Sequence, residues 1–114
     1  MAVRQTDLLQ GTLDLLVLRC LDAGPNHGYG IATRLRRLSD EVLRIEEGSL
    51  YPALYRMEEQ GLIESTWRLT ENNRNAKFYA LTRQGRQAAQ AELDSWVRLS
   101  RAISRVLRAI EQGA

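Results

Sequence analysis

Apolar residues recur along this chain at changing periods, and each change of period marks a new element. Between residues 6 and 22, Leu9, Leu13, Leu16, Val17 and Cys20 fall on one helical face, while Leu8, Leu15 and Leu18 fall on nearly the opposite face. A helix with two apolar faces must be covered on both, and a second subunit is the expected cover. Gly24-Pro25-Asn26 ends it. A second helix is predicted from about Gly28 to Ser39, with Ile31, Leu35 and Leu38 inward and Thr33, Arg36 and Arg37 opposite. After a short extended stretch from Val42 to Ile45, a third helix runs from about Glu47 to Gln60. Its stripe is Leu50, Ala53, Leu54 and Met57, and Gly61 is placed to end it. Pro52 lies close enough to the first turns to be tolerated.

The pattern then becomes β-like. Ile63 to Thr70 and Lys77 to Leu81 flank an Asn-rich polar connection, which reads as a hairpin with a projecting loop. Thr82 is placed to cap a final helix of roughly thirty residues, about 45 Å long. Ala89, Leu93, Trp96, Ser100, Ile103, Leu107 and Ile110 follow one another at alternating gaps of four and three. Such a heptad seam asks for a partner helix. The expected fold is mostly α (α+β): a winged helix-turn-helix domain over 1–82 and a dimerisation helix over 83–114.

Composition removes whole classes of function. With 44% apolar and 26% charged residues the chain is ordinary globular protein. No run approaches the roughly 18 apolar residues of a membrane span, and Met1 to Gln10 has no apolar segment behind a basic start, so the expectation is a cytoplasmic protein without membrane contact. Cys20, the only cysteine, excludes an internal disulfide and sits in an apolar helical run, as a buried small hydrophobe would. One cysteine and one histidine cannot build a thiolate or imidazole zinc site, and neither a nucleophile elbow nor a phosphate-cradling glycine loop is present. No enzyme, metal or cofactor is expected. The net charge is +2, but fifteen of the sixteen basic residues are arginine, the better residue for forked contacts to phosphate.

Three helices followed by a hairpin is the order in which a third helix enters the DNA major groove while the hairpin reaches phosphate. With Leu50, Leu54 and Met57 inward, Ser49, Pro52, Tyr55 and Arg56 turn outward and Tyr51 lies at the flank. These side chains suit groove and phosphate contact; equally, Tyr51 can cover a core edge. His27 reads three ways: a phosphate contact, a turn residue with a local hydrogen bond, or a pH switch. Trp67 reads as core beneath the wing.

The run from Glu47 to Glu58 (Glu-Gly-Ser-Leu-Tyr-Pro-Ala-Leu-Tyr-Arg-Met-Glu), followed by Gly61-Leu62-Ile63 and Trp67, resembles the signature of PadR-type transcriptional regulators. Gln10-Gly11-Thr12-Leu13, His27-Gly28-Tyr29-Gly30-Ile31, and Phe78-Tyr79-Ala80-Leu81-Thr82 with Gly85 support the resemblance. It extends from about Leu8 to Leu107 and points to the short subfamily with one C-terminal helix. It implies a homodimeric repressor that binds a pseudo-palindromic operator and pairs its last helix with the partner's first. DNA contact then falls to His27, Gly28, Tyr29, Ser49, Tyr51, Pro52, Tyr55 and Arg56, with Arg74 and Lys77 at the wing. The dimer contact falls to Leu8, Leu15, Leu18, Leu93, Trp96, Ile103, Leu107 and Ile110. Some short members sandwich flat aromatic ligands on a tryptophan at this place, so Leu8, Leu15, Arg19, Trp96 and Ser100 form a candidate effector set for a planar aromatic small molecule; the other reading of Trp96 is packing. The wing is less basic than is usual in the family, since Asn75 and Ala76 separate Arg74 from Lys77. The competing function is a small-molecule-sensing or protein-interaction module with weak or lost DNA binding.

Overall fold

The computed structural model describes residues 3–4 and 10–113. Their order is β1 (Val3–Arg4), α1 (Gln10–Asp22), β2 (Asn26–His27), α2 (Gly28–Leu38), β3 (Leu43–Arg44), α3 (Glu47–Glu59), β4 (Ile63–Leu69), β5 (Asn75–Leu81) and α4 (Arg83–Glu111). The predicted helices and hairpin are all present. Leu8 and Leu9 lie outside the described residues.

The core forms where the stripes of α1, α2 and α3 meet. Val17, Leu18, Ile31, Leu50, Leu54 and Met57 are closed from solvent, with Ile63, Tyr79 and Ala89 completing the cluster. Leu18 corrects an expectation. It was assigned to a partner contact because it lies off the first stripe, yet it is 1% exposed within its own chain and belongs to the core. Leu15, on the same face, is likewise covered from within, because the first half of α4 packs along α1 and buries it. In the other direction, Leu38 was placed inward but stands exposed in the last turn of α2.

Two sheet pairings were invisible in the periodicity. β1 pairs parallel with β3, and β2 joins the hairpin to give the antiparallel order β2-β5-β4, with His27 opposite Phe78 and Asn26 opposite Tyr79. Two-residue strands carry no alternation to detect. In the hairpin, Thr66 faces Phe78 and Trp67 faces Lys77. The loop closes through Thr70 N–H to the Arg74 carbonyl at 2.8 Å, with Asn73 at φ 59°. Asparagine tolerates this left-handed turn.

Gly61, at φ 76°, ends α3. Its carbonyl accepts from Thr82 Oγ1 at 2.6 Å, and the same hydroxyl caps α4 by accepting from Gly85 N–H at 3.0 Å. One threonine therefore sets the start of α4 against the end of α3, so the direction of the long helix is coupled to the helix before the wing.

Candidate nucleic-acid interface

The outward face of α3 is built from its first three turns. Tyr51, Pro52 and Tyr55 are exposed, Tyr55 by 66%. Ser49 is half-buried beside them. Tyr51 is held in place by α2: a Cβ at Gly28 would stand 2.6 Å from Cζ and Oη of its ring, so only glycine admits the tyrosine at the α2 N-terminus. Burial, with Glu47 adding to it, pushes the Tyr51 phenol above its ordinary value, so the hydroxyl stays neutral and able to donate. Tyr51 covers α2 with its ring, as its core-edge reading expects, and still exposes an edge. Gly28 itself is buried and acts as a seat for the tyrosine, which corrects its place among the contact residues.

His27 caps α2. Its Nδ1 accepts from Gly30 N–H at 3.0 Å, and its ring meets Phe78 edge-on at 5.0 Å. The local-turn reading of the histidine therefore describes its position. Phe78 also supports Arg68, whose guanidinium carbon lies 4.1 Å from the ring centroid. Between α2 and the wing these residues line a groove of about 910 Å³ to which Tyr29, Arg34 and Arg37 also contribute. Arg34 Nε is buried with no acceptor among the described residues. A buried donor left unpaired is costly and is relieved by an oxygen ligand.

Arg34, Arg37 and Arg68 were missed by sequence reasoning. Arg37 was assigned simply to the polar face of α2, and the strand position of Arg68 gave no sign that it would share a groove with that helix. The only signal was the predominance of arginine over lysine.

Arg56 corrects the most specific expectation. Instead of turning outward, it forms a forked pair with Asp14 of α1, NH1 to Oδ2 at 2.9 Å and NH2 to Oδ1 at 2.7 Å. It lies next to the inward residue Met57, close enough to the core boundary for a long side chain to bend back to α1. Arg56 is a tie between α1 and α3, with its fork engaged by Asp14. Lys77 is also engaged, 3.3 Å from a Glu58 oxygen, and Glu58 accepts from Ser65 Oγ at 2.6 Å. The Glu58 carboxyl is held below its ordinary range, first by the Ser65 hydroxyl and then by Lys77. The lysine thus braces the wing against α3, while Arg74, in the turn, is exposed. Trp67 is 69% exposed, which corrects its assignment to the core. It shares a sheet face with buried Tyr79, but it lies farther toward the wing tip, beyond the helical cover.

The sequence model of the PadR-like family of transcriptional regulators matches residues 17–91. The chain belongs to this family. Among solved structures, a PadR family transcriptional regulator from Eggerthella lenta is 32% identical, with 86% of this chain and 83% of that chain covered and a TM-score of 0.71. A PadR-like regulator from Bacillus cereus is 28% identical over 87% of this chain and 94% of that one, with a TM-score of 0.74. A transcriptional regulator from Clostridium thermocellum is also 28% identical, over 87% and 96% of the two chains, with a TM-score of 0.78. No curated protein matches the chain in sequence. The molecule is a PadR-like transcriptional regulator of winged-helix fold, and none of its described helices is long and apolar enough to cross a membrane.

In this PadR-like chain the seam residues behave differently along α4. Ala89 is buried and Leu93 half-buried against the body, whereas Trp96, Ile103, Leu107 and Ile110 are exposed, Ile103 by 49% and Leu107 by 58%. Leu15 and Trp96 share a small cavity of about 190 Å³ with Glu92 and Leu99. Of the other described members of the candidate effector set, Arg19 pairs with Asp22 at 3.5 Å, and Ser100 Oγ donates to the Val97 carbonyl at 3.2 Å.

Proposed function

We propose that this PadR-like regulator is a homodimeric repressor that binds double-stranded DNA at a pseudo-palindromic operator. The observation that carries the reading is the exposed Tyr51–Pro52–Tyr55 face of α3 beside a groove bearing Arg34, Arg37 and Arg68. The α3 face enters the major groove, where rings and hydroxyls meet base edges, and the arginines and Arg74 take backbone phosphates. Arg68, already stacked on Phe78, loses little freedom on binding. The exposed seam of α4 joins the two protomers. A planar aromatic effector enters beside Leu15 and Trp96, where indole offers a stacking surface.

Footprinting on the DNA upstream of the protein's own coding region supplies the site. Affinity there should fall steeply with salt, and Arg68→Ala and Arg74→Ala should each flatten the slope of log affinity against log salt by about one. Tyr55→Ala should lower the ratio of specific to random binding. Salt-insensitive association with another protein, with no footprint, would favour the interaction-module reading instead. For the effector, Trp67→Phe leaves Trp96 as the only tryptophan, and planar aromatic cations and carboxylates should quench its emission. Absence of quenching assigns Trp96 to packing.

A further inference from the structure

Arg98, Arg101, Arg105 and Arg108 follow one another at gaps of three, four and three. At about 100° per residue they fall within about 80° of arc on α4 and extend about 15 Å along it. All four are exposed, and none makes an ion pair or side-chain hydrogen bond among the described residues. Asp94 and Glu111 lie one turn from Arg98 and Arg108, at the two ends of the row, but pair with neither among the described residues, and no acidic residue occurs between them. A solvated helix face ordinarily places acids one turn from bases, and like charges at that spacing destabilise the helix. The helix dipole accounts only for Arg108, in the last turn. In the body, Arg19, Arg36 and Arg56 each have a carboxylate partner while Arg34, Arg37, Arg44, Arg68 and Arg74 have none among the described residues, so the row is set apart by its spacing along one helix face.

The row faces a definite direction. Glu92, Ser95, Trp96 and Leu99 line the cavity shared with α1, and the arginines lie on the opposite side of α4. Because α1 gives its other face to α2 and, through Asp14, to α3, the row looks away from the winged surface. We propose that it is a second phosphate-binding face, which takes a further DNA duplex while the winged surface holds the first. This inference rests on the DNA reading of that surface. Arginine forks match phosphate oxygens, and duplex DNA is a polyanion that this protein already gathers. A basic amphipathic helix can also lie on an anionic membrane, but that mode needs its apolar face, which the proposed dimer covers.

A capture experiment tests the proposal. A short random-sequence duplex fixed to beads retains the protein, and a second, fluorescent duplex is then offered. The wild-type dimer should capture it. The variant carrying Arg98→Gln, Arg101→Gln, Arg105→Gln and Arg108→Gln should capture about tenfold less, with a salt slope flatter by about one per arginine, while first-duplex binding stays within about twofold. Glutamine preserves helix propensity, and unchanged circular dichroism and sedimentation establish that fold and assembly are kept. The Arg101→Gln/Arg105→Gln pair should lose about half the effect if the full variant proves unstable.

Arg37→Ala with Arg68→Ala separates the two readings. Loss of first-duplex binding when these two changes are added to the four-arginine variant supports the winged surface, and persistence there refutes it independently of α4. Equal second-duplex capture by the wild type and the four-arginine variant would assign bridging to the two winged heads and overturn the proposal. So would an absence of capture by wild-type protein holding its first duplex, or retention on phosphatidylserine vesicles through these arginines without duplex capture.

Discussion

The winged body and the distal half of α4 are made of similar residues but use them in opposite ways. In the body, Leu50, Leu54 and Met57 are closed from water and Arg56 is forked onto Asp14. Beyond Leu93, Ile103, Leu107 and Ile110 stand exposed along one side of α4, and four arginines stand unpaired along the other. The body closes its core and ties Arg56 within one chain. The distal helix leaves both of these faces exposed in the single chain. A helix of 29 residues outreaches the body on which its first half rests, so this contrast follows from length as much as from composition.

The largest effect that should separate the two regions is in the core. Leu54→Ala should lower the free energy of unfolding by about 2–5 kcal/mol through lost burial and a residual cavity, measured by urea melts. Ile103→Asp should instead leave the near-ultraviolet spectrum of the body unchanged while weakening association by several kcal/mol in principle, through a charge placed in the seam. Sedimentation should then find monomer where the wild type is dimeric. A dimeric Ile103→Asp protein would break the comparison at its α4 end.

A smaller effect tests the tie between α1 and α3. Arg56→Ala leaves Asp14 without its fork and should destabilise the body by about 1–3 kcal/mol. It should leave the ratio of specific to random DNA binding unchanged under conditions where the variant remains folded. A selective loss at the specific site would return Arg56 to the DNA surface.

The smallest effect is acid sensitivity of the brace between wing and α3. Because the Glu58 carboxyl is held low by Ser65 and Lys77, its contribution is complete above the unfolded value near pH ~4.3 and is lost as pH falls through the lower folded value. The difference in urea midpoint between wild type and Glu58→Gln should therefore be largest near neutrality and shrink in acid. A difference that grows on acidification would mean that Glu58 does not stabilise the fold as a carboxylate.

Most elements were legible because their periods are long enough to read. Leu50, Leu54 and Met57 define one face of a helix whatever surrounds it, and Thr82 with Gly85 marks the start of α4 by local hydrogen bonding. The wing was legible as two β-prone runs. Its extra strand was not, because β2 has two residues and exists only by pairing with β5. Trp67 was misplaced for a related reason: composition makes it a core residue, but its distance along the hairpin carries it past the helices that would cover it.

The sequence by itself determined the helical order, the hairpin, the exposed aromatic face of α3 and the seam of α4, since each depends on spacing within one element. Tertiary structure decided which long polar side chains are free. Arg56 and Arg68 are both arginines near the candidate surface, yet one is closed onto Asp14, distant in sequence, and the other is stacked on Phe78 in the neighbouring strand. An arginine reaches across several ångströms and can satisfy its fork on any nearby element, so its role is settled only when those elements are brought together. The same holds for Leu15 of α1, which needed a cover that its own sequence could not name and that the chain's own α4 provides.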